Sequence, residues 1–537
     1  MQSSVGAADC TYDLIIIGGG INGAGIARDA GMRGLRTLLL EASDFGSGTS
    51  SWSSRLIHGG LRYLEYAEIG LVRESLRERR LLLEQAPHLV RPLKLTIPIY
   101  RGARRGRLLI RLGMLAYDTL SFGKKLPAHE MLSREAVLSR APALNAEGLV
   151  GAATYYDGQV SFAERLVLEN ILDACAHGVD ARNYARVSKI SARQDELHDV
   201  EFENVDGSSE SARARVVVNA AGPWVDYVLS GGPVEQPQYM GGTKGSHIVV
   251  GRFPGAPTDA FYVEAQSDGR PFFILPWNDQ VLIGTTDIRI EGDPADATAS
   301  PEEIDYLLAE SNRVFPDANL DRDAIHFVYS GVRPLPRQEE GPESAITRAH
   351  IIKHHDRPLD GVLSIIGGKL TTYRSLAEEA VDAVCELLGR SRTPCPTRDA
   401  LLPGADEGGS GEPAEFEGLS EEGQQRLQSI YGGRRREIAA LCRAEPELDR
   451  ALDAERTVLA VEVALAIRDE KARTLIDIVH RRLMVGLAAS YELALIEAIA
   501  TVAAAEFGWS QQQRTAELEA LAAYDARLQR KATAAVS

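Results

Sequence analysis

The stretch that most constrains this chain is "YDLIIIGGGING", residues 12–23. A short run rich in isoleucine and bounded by glycines reads as a buried parallel strand. Gly18-x-Gly20-x-x-Gly23 then turns the chain into a helix. The glycines permit a tight turn and a close approach to the backbone, and the helix start offers free N–H groups to a pyrophosphate. The next strand, "RTLLLEA", ends in Glu41, 18 residues beyond Gly23, where a carboxylate can accept ribose hydroxyls. Together these elements read as a dinucleotide-binding βαβ unit, with Gly18, Gly20, Asn22, Gly23 and Glu41 as its ligand-facing residues.

The rest of the chain extends this unit. A third apolar strand lies at 214–224, "ARVVVNAAGPW", and a fourth strand, Gly-Gly and helix at 361–384. Between about 240 and 335, "GSHIVV", "PFFILPW", "QVLIGTT" and "IHFVYSGV" alternate with turn signals, as in an inserted antiparallel sheet. The Gly-, Pro- and acid-rich 403–415 suits a flexible linker. Beyond it, helical periodicity marks an all-α domain over about 420–537. The expected division is a flexible tail at 1–11, an oxidoreductase domain at 12–400 and that C-terminal domain. Within 12–400, nucleotide-binding parts fall at about 12–100, 150–235 and 330–400, and a substrate-covering part at about 236–330.

Composition narrows the class. The 537 residues are 44% hydrophobic, ample for a large core, and carry a net charge of −17, which disfavours general nucleic-acid binding. The five cysteines (Cys10, Cys175, Cys385, Cys395 and Cys442) form no C-x-x-C pair, as expected for reduced thiols in the cytoplasm. The N-terminus has no basic start followed by an apolar run, so no signal peptide is read. No apolar run approaches the roughly 20 residues of a membrane span. The histidines and carboxylates show no metal-ligand spacing.

Three features favour FAD over NAD. "TSSWSSRLIHGG" follows soon after Glu41 and offers Thr49, Ser50, Ser51, Ser54, His58, Gly59 and Gly60 to phosphate and flavin. "NAAGPW" ends a strand in small residues, with Ala220, Gly222 and Trp224 beside the cofactor. "IIGGKLTTY" starts a helix at Gly368, Lys369, Leu370 and Thr371, where the helix dipole would stabilise a reduced, anionic flavin.

With "DLIIIGGGINGAGIARDAGMRGL", "TSSWSSRLIHGGLRYLE", "NAAGPWVD", "KGSHIVV", "PWNDQVLIGTTD", "YSGVRPL" and "GGKLTTYRSLAEEA" in this order, residues 12–385 resemble the FAD-dependent glycerol-3-phosphate dehydrogenases of aerobic metabolism. The resemblance implies an α/β fold: a Rossmann-like, D-amino-acid-oxidase-like FAD domain with an inserted antiparallel substrate domain, followed by helices. It also implies oxidation of sn-glycerol 3-phosphate to dihydroxyacetone phosphate, a membrane quinone as acceptor (oxygen in a related oxidase branch), and a homodimer at the inner face of the cytoplasmic membrane. Asp287 joins the cofactor set on the same ground. A rival within the fold is an amino-acid or 2-hydroxy-acid oxidase, which needs one arginine for a carboxylate.

Flavin oxidation of an alcohol needs a base for the hydroxyl proton and a clamp for the anionic end of the substrate. Arg62, Arg333, Arg348 and Lys369 are the candidate clamp, since arginine forks match phosphate. Tyr63 lines the pocket. His247 is the candidate base and His58 a flavin neighbour. Lys369 has a second candidate role in stabilising reduced flavin. For the membrane, residues 101–125 carry seven Arg/Lys interleaved with leucines, which suits either a headgroup-seated helix or one packed on the body with a basic face. The run "HRRLMVGL", 480–487, is similar to runs that recur in the family's C-terminal domain and is equally an ordinary basic helix face, and the C-terminal domain receives no chemistry.

Overall fold

The strand Thr11–Ile17 lies at the heart of a mainly parallel sheet. The computed structural model describes residues 11–121, 126–338, 346–405 and 416–530. Most of the expected tail and residues 406–415 of the expected linker therefore lie outside the described residues. In the first sheet the strand order is 351–354, 362–366, 209–219, 11–17, 37–40 and 180–182, all parallel except the first. Alternate side chains divide between two cores. Leu14, Ile16, Leu39, Val218 and Leu363 pack under the helices Ile21–Met32, Ala163–Ala176 and Tyr373–Leu387, while Ile15, Ile17, Leu38 and Val217 pack on the opposite face. Burial on both faces explains why these strands read as unbroken apolar runs.

The second sheet is larger than the sequence suggests. Strands Thr243–Gly251, Ala260–Glu264, Pro271–Trp277, Gln280–Gly284 and Ile325–Arg333 form its expected antiparallel part. Val90–Tyr100 and Leu149–Val160, expected with the nucleotide-binding parts, belong to this sheet instead. They pair antiparallel along their length, and Leu95–Thr96 run parallel to Ala260–Phe261. The reason lies in alternation: Leu93, Leu95, Ile97 and Ile99 share one core with Trp277, Leu282 and Phe327.

The C-terminal domain is helical, with Glu421–Tyr431, Arg435–Ala444, Ala460–Arg468, Leu493–Phe507 and Gln511–Arg527. Its junction is a built turn at its start: Pro403–Ala405 forms a short 3-10 helix, and the Gly404 N–H donates to Glu169 at 3.1 Å. A buried ion triad ties the domain to the body. Glu470 accepts both forks of Arg165, at 2.6 and 2.8 Å, and Arg434 at 2.6 Å. These cations hold its carboxyl down at about 2 against the cost of burial. Replacing Glu470 with alanine leaves the buried Arg165 guanidinium without its carboxylate and Arg434 with Glu437 alone, a loss of about 3–5 kcal/mol. A large fall in thermal midpoint is expected, and a midpoint equal to wild type would refute this account of the junction.

Candidate active site

At the carboxyl ends of strands 11–17 and 209–219 a cavity of about 820 Å³ opens. This lies high in the roughly 300–1,000 Å³ range of ligand pockets. The chain approaches itself closely here. Gly18 has φ +105°, and a Cβ on it would meet the Ala220 carbonyl at 2.7 Å. A Cβ on Gly23 would sit 1.9 Å from the Gly18 oxygen, so the third glycine lets helix and turn touch. The helix Ile21–Met32 starts without a capping side chain of its own; Ser50 Oγ, from the following loop, accepts the Ile21 N–H at 3.0 Å. Glu41 is held by the N–H groups of Gly19 (2.6 Å) and Ser43 (2.8 Å), and burial raises its pKa. Asn22 reaches across the cavity end, donating to the Gly367 carbonyl at 3.4 Å, while its own Oδ1 is buried and without a partner. A glycine cradle, an open helix start, a buried acid and an orphaned amide oxygen fit a dinucleotide.

Beyond the cavity, the second sheet carries the candidate base and clamp. Strands Thr243–Gly251 and Ile325–Arg333 pair so that Thr243 faces Arg333 and His247 faces Tyr329. Thr243, Gly245 and His247 share one face of the pleat. The Arg333 guanidinium lies over Gly245, whose missing side chain leaves it room. It donates to Thr243 Oγ1 (3.3 Å), Thr285 Oγ1 (3.2 Å), the Thr286 carbonyl (3.0 Å) and Asp287 (3.0 Å). His247 stacks on Tyr329 with ring centres 4.8 Å apart, and its Nε2 is 2.8 Å from Ser54 Oγ. Burial, with help from Arg333 and Arg55, pushes its pKa down to about 3, so the ring is neutral at neutral pH.

The cations crowd one carboxylate. Asp287 meets Arg333 at 3.0 Å, Arg270 at 3.2 Å and Arg348 at 3.8 Å. Burial pulls the Arg333 pKa to about 10, aided by Arg348, Arg270 and Arg62, with Asp287 opposing. Arg348 is lowered in the same way. Arg62 adds a guanidinium whose Nε is buried and unpartnered. Lys369 joins cluster and cavity: its Nζ sits 4.9 Å over the Tyr63 ring and donates to Ser75 Oγ at 2.9 Å, and burial lowers its pKa to about 8. Positive charge exceeding its partners in a partly buried place is the electrostatic form of an anion site.

The expected residues thus separate into three groups. Gly18, Gly20, Asn22, Glu41, Thr49, Ser50, Ala220, Gly222, Trp224, Gly368, Lys369 and Leu370 line the cavity. Gly23, Ser51, Ser54, His58, Gly59, Gly60 and Thr371 are absent from that lining. Ser51 accordingly closes the turn on the Gly46 carbonyl (2.6 Å), the His58 N–H donates to Thr371 Oγ1 (3.1 Å), and the Gly59 N–H donates to Asp157 (3.0 Å). Asp287, expected at the cofactor, pairs with the arginines instead, because its buried carboxylate and their partly buried charges need one another as counter-ions. Arg270 escaped the sequence reading, since the turn "SDGRP" gives it no distinguishing context. So did the C-terminal residues, which join the cavity only through tertiary packing. Arg55, in the same motif as His58 and Arg62, is a buried strut with both forks on Glu164 at 2.8 Å.

Fold and site together define a nucleotide-binding oxidoreductase of the flavin type. The family model "FAD dependent oxidoreductase" matches residues 13–374, and "C-terminal domain of alpha-glycerophosphate oxidase" matches 395–514. A glycerol-3-phosphate dehydrogenase of Synechocystis sp. is 46% identical over 94% of both chains, and an aerobic glycerol-3-phosphate dehydrogenase of Staphylococcus epidermidis is 32% identical over 88% of this chain and 87% of its own. The crystal structure of the glycerol-3-phosphate dehydrogenase of Bacillus halodurans, complexed with FAD, superposes with a TM-score of 0.76 at 29% identity, covering 96% of this chain and 95% of that one. The chain belongs to the FAD-dependent glycerol-3-phosphate dehydrogenase family.

The neutral, buried His247 carries a pH signature. Unfolded, it takes up a proton near pH 6.5; folded, it resists until about 3. Its contribution to stability is therefore intact above pH 6.5 and falls as pH drops toward 3, by about 1.4 kcal/mol per pH unit. Thermal midpoints of wild type and His247→Asn, compared between about pH 7.5 and about pH 5, should converge as pH falls. Parallel curves would contradict it.

Proposed function

We propose that the enzyme oxidises the secondary hydroxyl of sn-glycerol 3-phosphate to the ketone of dihydroxyacetone phosphate and passes the electrons to a membrane quinone. The observation that carries this reading is the arginine cluster about Asp287, on the same sheet face as a neutral His247 and joined to the cavity by Lys369. Bound FAD supplies the hydride acceptor. The cavity residues named above would hold it, with Gly18, Gly20 and the open helix start toward its pyrophosphate and Gly368 to Leu370 toward its ring.

Arg333, Arg348 and Arg62 clamp the phosphate. A dianion brings the cluster the negative charge it lacks, and so raises the depressed pKa values of Arg333 and Arg348, which stay charged throughout. An amino or hydroxy acid, with a single carboxylate charge, matches the cluster less well. His247 accepts the hydroxyl proton. Its ring is only 3% exposed, and Ser54 Oγ, the partly exposed group on Nε2, is the point of entry: the serine takes the substrate proton as its own passes to Nε2. Lys369 fixes Tyr63 by its charge on the ring face and adds a cation between clamp and cavity.

Anaerobic addition of glycerol 3-phosphate should bleach the flavin absorbance of the purified enzyme, and no bleaching would reject the substrate. Arg348→Ala should raise KM for glycerol 3-phosphate on the order of tenfold to a hundredfold while leaving oxidation of glycerol unchanged. His247→Asn and Ser54→Ala should each slow flavin reduction on the order of a hundredfold or more with little change in KM. Equal loss for glycerol and its phosphate would remove Arg348 from the clamp.

The helix Arg107–Leu120 supports the membrane partner. It packs on the body through Ile110, Met114 and Tyr117, and turns Leu108 (72% exposed), Leu109, Leu112 and Leu115 outward. Exposed Arg104, Arg107 and Arg111 flank them. Arg105 is set apart from these, because it pairs with Glu65 and Glu264. Lys124 and Lys125 of the expected basic segment lie outside the described residues. Among the described residues no helix is long and apolar enough to cross a membrane. An apolar ridge with a basic rim suits the headgroup boundary of an anionic bilayer, where each leucine contributes roughly 1.5–3 kcal/mol when buried. Leu108→Glu with Leu112→Glu should abolish co-sedimentation with anionic liposomes and slow reoxidation by membrane quinone, leaving anaerobic reduction intact. Full retention on liposomes would reject this face.

A further inference from the structure

The C-terminal domain supplies part of the cavity wall. Thr474, Ile476, Arg481, Tyr524, Arg527 and Leu528 line the same 820 Å³ space as Gly18 and Glu41. None of them belongs to the dinucleotide motif, and all come from one side of the 403–415 junction.

The domain is fixed at two places around this space. At one, Asp44 lies three residues past Glu41, fully buried. It accepts from Arg481 Nε (2.7 Å), from Arg482 Nη1 and Nη2 (2.8 Å each) and from Asn183 (3.0 Å). Asp477 takes the other end of Arg481 and the Tyr184 hydroxyl (2.7 Å). The run at 480–482, for which an ordinary basic helix face is one of the two sequence readings, is an internal clasp on the loop that follows Glu41. At the other place, the Val328 N–H donates to the Leu528 carbonyl at 2.8 Å, Gln280 donates to the Leu487 carbonyl at 2.9 Å, and Arg530 covers the Phe327 ring at 4.6 Å. Tyr524 stands between them, its ring 6.5 Å from Trp52, which also lines the cavity.

The clasp charges are balanced, two arginines against Asp44 and Asp477, so it is no anion site of its own. Its consequence is geometric: a ligand in this cavity touches both domains at once. We propose that the C-terminal helical domain is an integral part of the FAD site, with Tyr524 a wall residue that slows FAD release and Arg481 a positioning residue that holds the Glu41–Ser53 loop through Asp44. This rests on the reading that the cavity holds FAD. Because such a ligand binds only the docked arrangement, binding and docking must strengthen one another.

Hydrogen exchange of the holoenzyme and of protein stripped of FAD tests both levels. Added FAD should protect amides at 18–23 and 46–53, and also at 474–482 and 524–528. Protection confined to the first two segments overturns the proposal and leaves the cavity reading standing; protection at neither removes the cavity reading itself. In holoenzyme diluted into FAD-free buffer, Tyr524→Ala should raise the rate of flavin fluorescence recovery about tenfold, as truncation of a buried aromatic contact does. Tyr524→Phe should restore the slow rate, and Glu519→Ala, exposed on the same helix, should leave it unchanged. Release from Tyr524→Ala at the wild-type rate overturns the assignment of Tyr524. Release accelerated equally by Glu519→Ala would mean general loosening of the domain and overturn it too.

Discussion

Everything in this molecule depends on how closely two parallel strands and a helix approach at Gly18. Strands 11–17 and 209–219 run side by side and part at their carboxyl ends, and the chain there is reduced to glycine and alanine. A side chain at Gly18 would strike the neighbouring strand, and one at Gly23 would strike the turn itself. The crevice outside the strand ends, where doubly wound sheets place their ligands, exists because those side chains are missing. The loop after Glu41, the C-terminal clasp and the second sheet are all arranged around it.

The second organising fact is an imbalance of charge. Most of the buried ions are closed units: Arg55 with Glu164, Arg374 with Glu78, Glu470 with Arg165 and Arg434. Such pairs offset their desolvation cost internally. The group about Asp287 is different, since three arginines share one carboxylate. In a chain whose overall charge is −17 this is a local reversal of sign. It sets a surplus of positive charge on the same sheet face as the buried, neutral His247.

Much of this was legible in the sequence, and the boundary of legibility has physical causes. The strand–glycine–helix unit and the apolar strands at 214–219 and 362–366 are local patterns, and the sheet assembled them as expected. Residues 90–100 and 149–160 were misplaced because a half-buried strand shows only its own alternation, never which sheet it will join. His247 and Arg333 stood in distinctive motifs, whereas Arg270 sits in an ordinary turn and gains meaning from Asp287 alone. Arg55 resembled its neighbours Arg62 and His58 in sequence, yet a glutamate more than a hundred positions away made it a strut. The clasp on Asp44 spans 437 positions, beyond any periodicity argument.

That span has a consequence for how the protein is made. Synthesis delivers the glycine turn about five hundred residues before the residues around Leu528. Domains generally fold in order of emergence. The nucleotide unit can therefore form on the ribosome, but the walls around it stay incomplete until the residues around Leu528 have emerged. A message cut short before Tyr524 would yield a protein with an intact fingerprint and an open cavity.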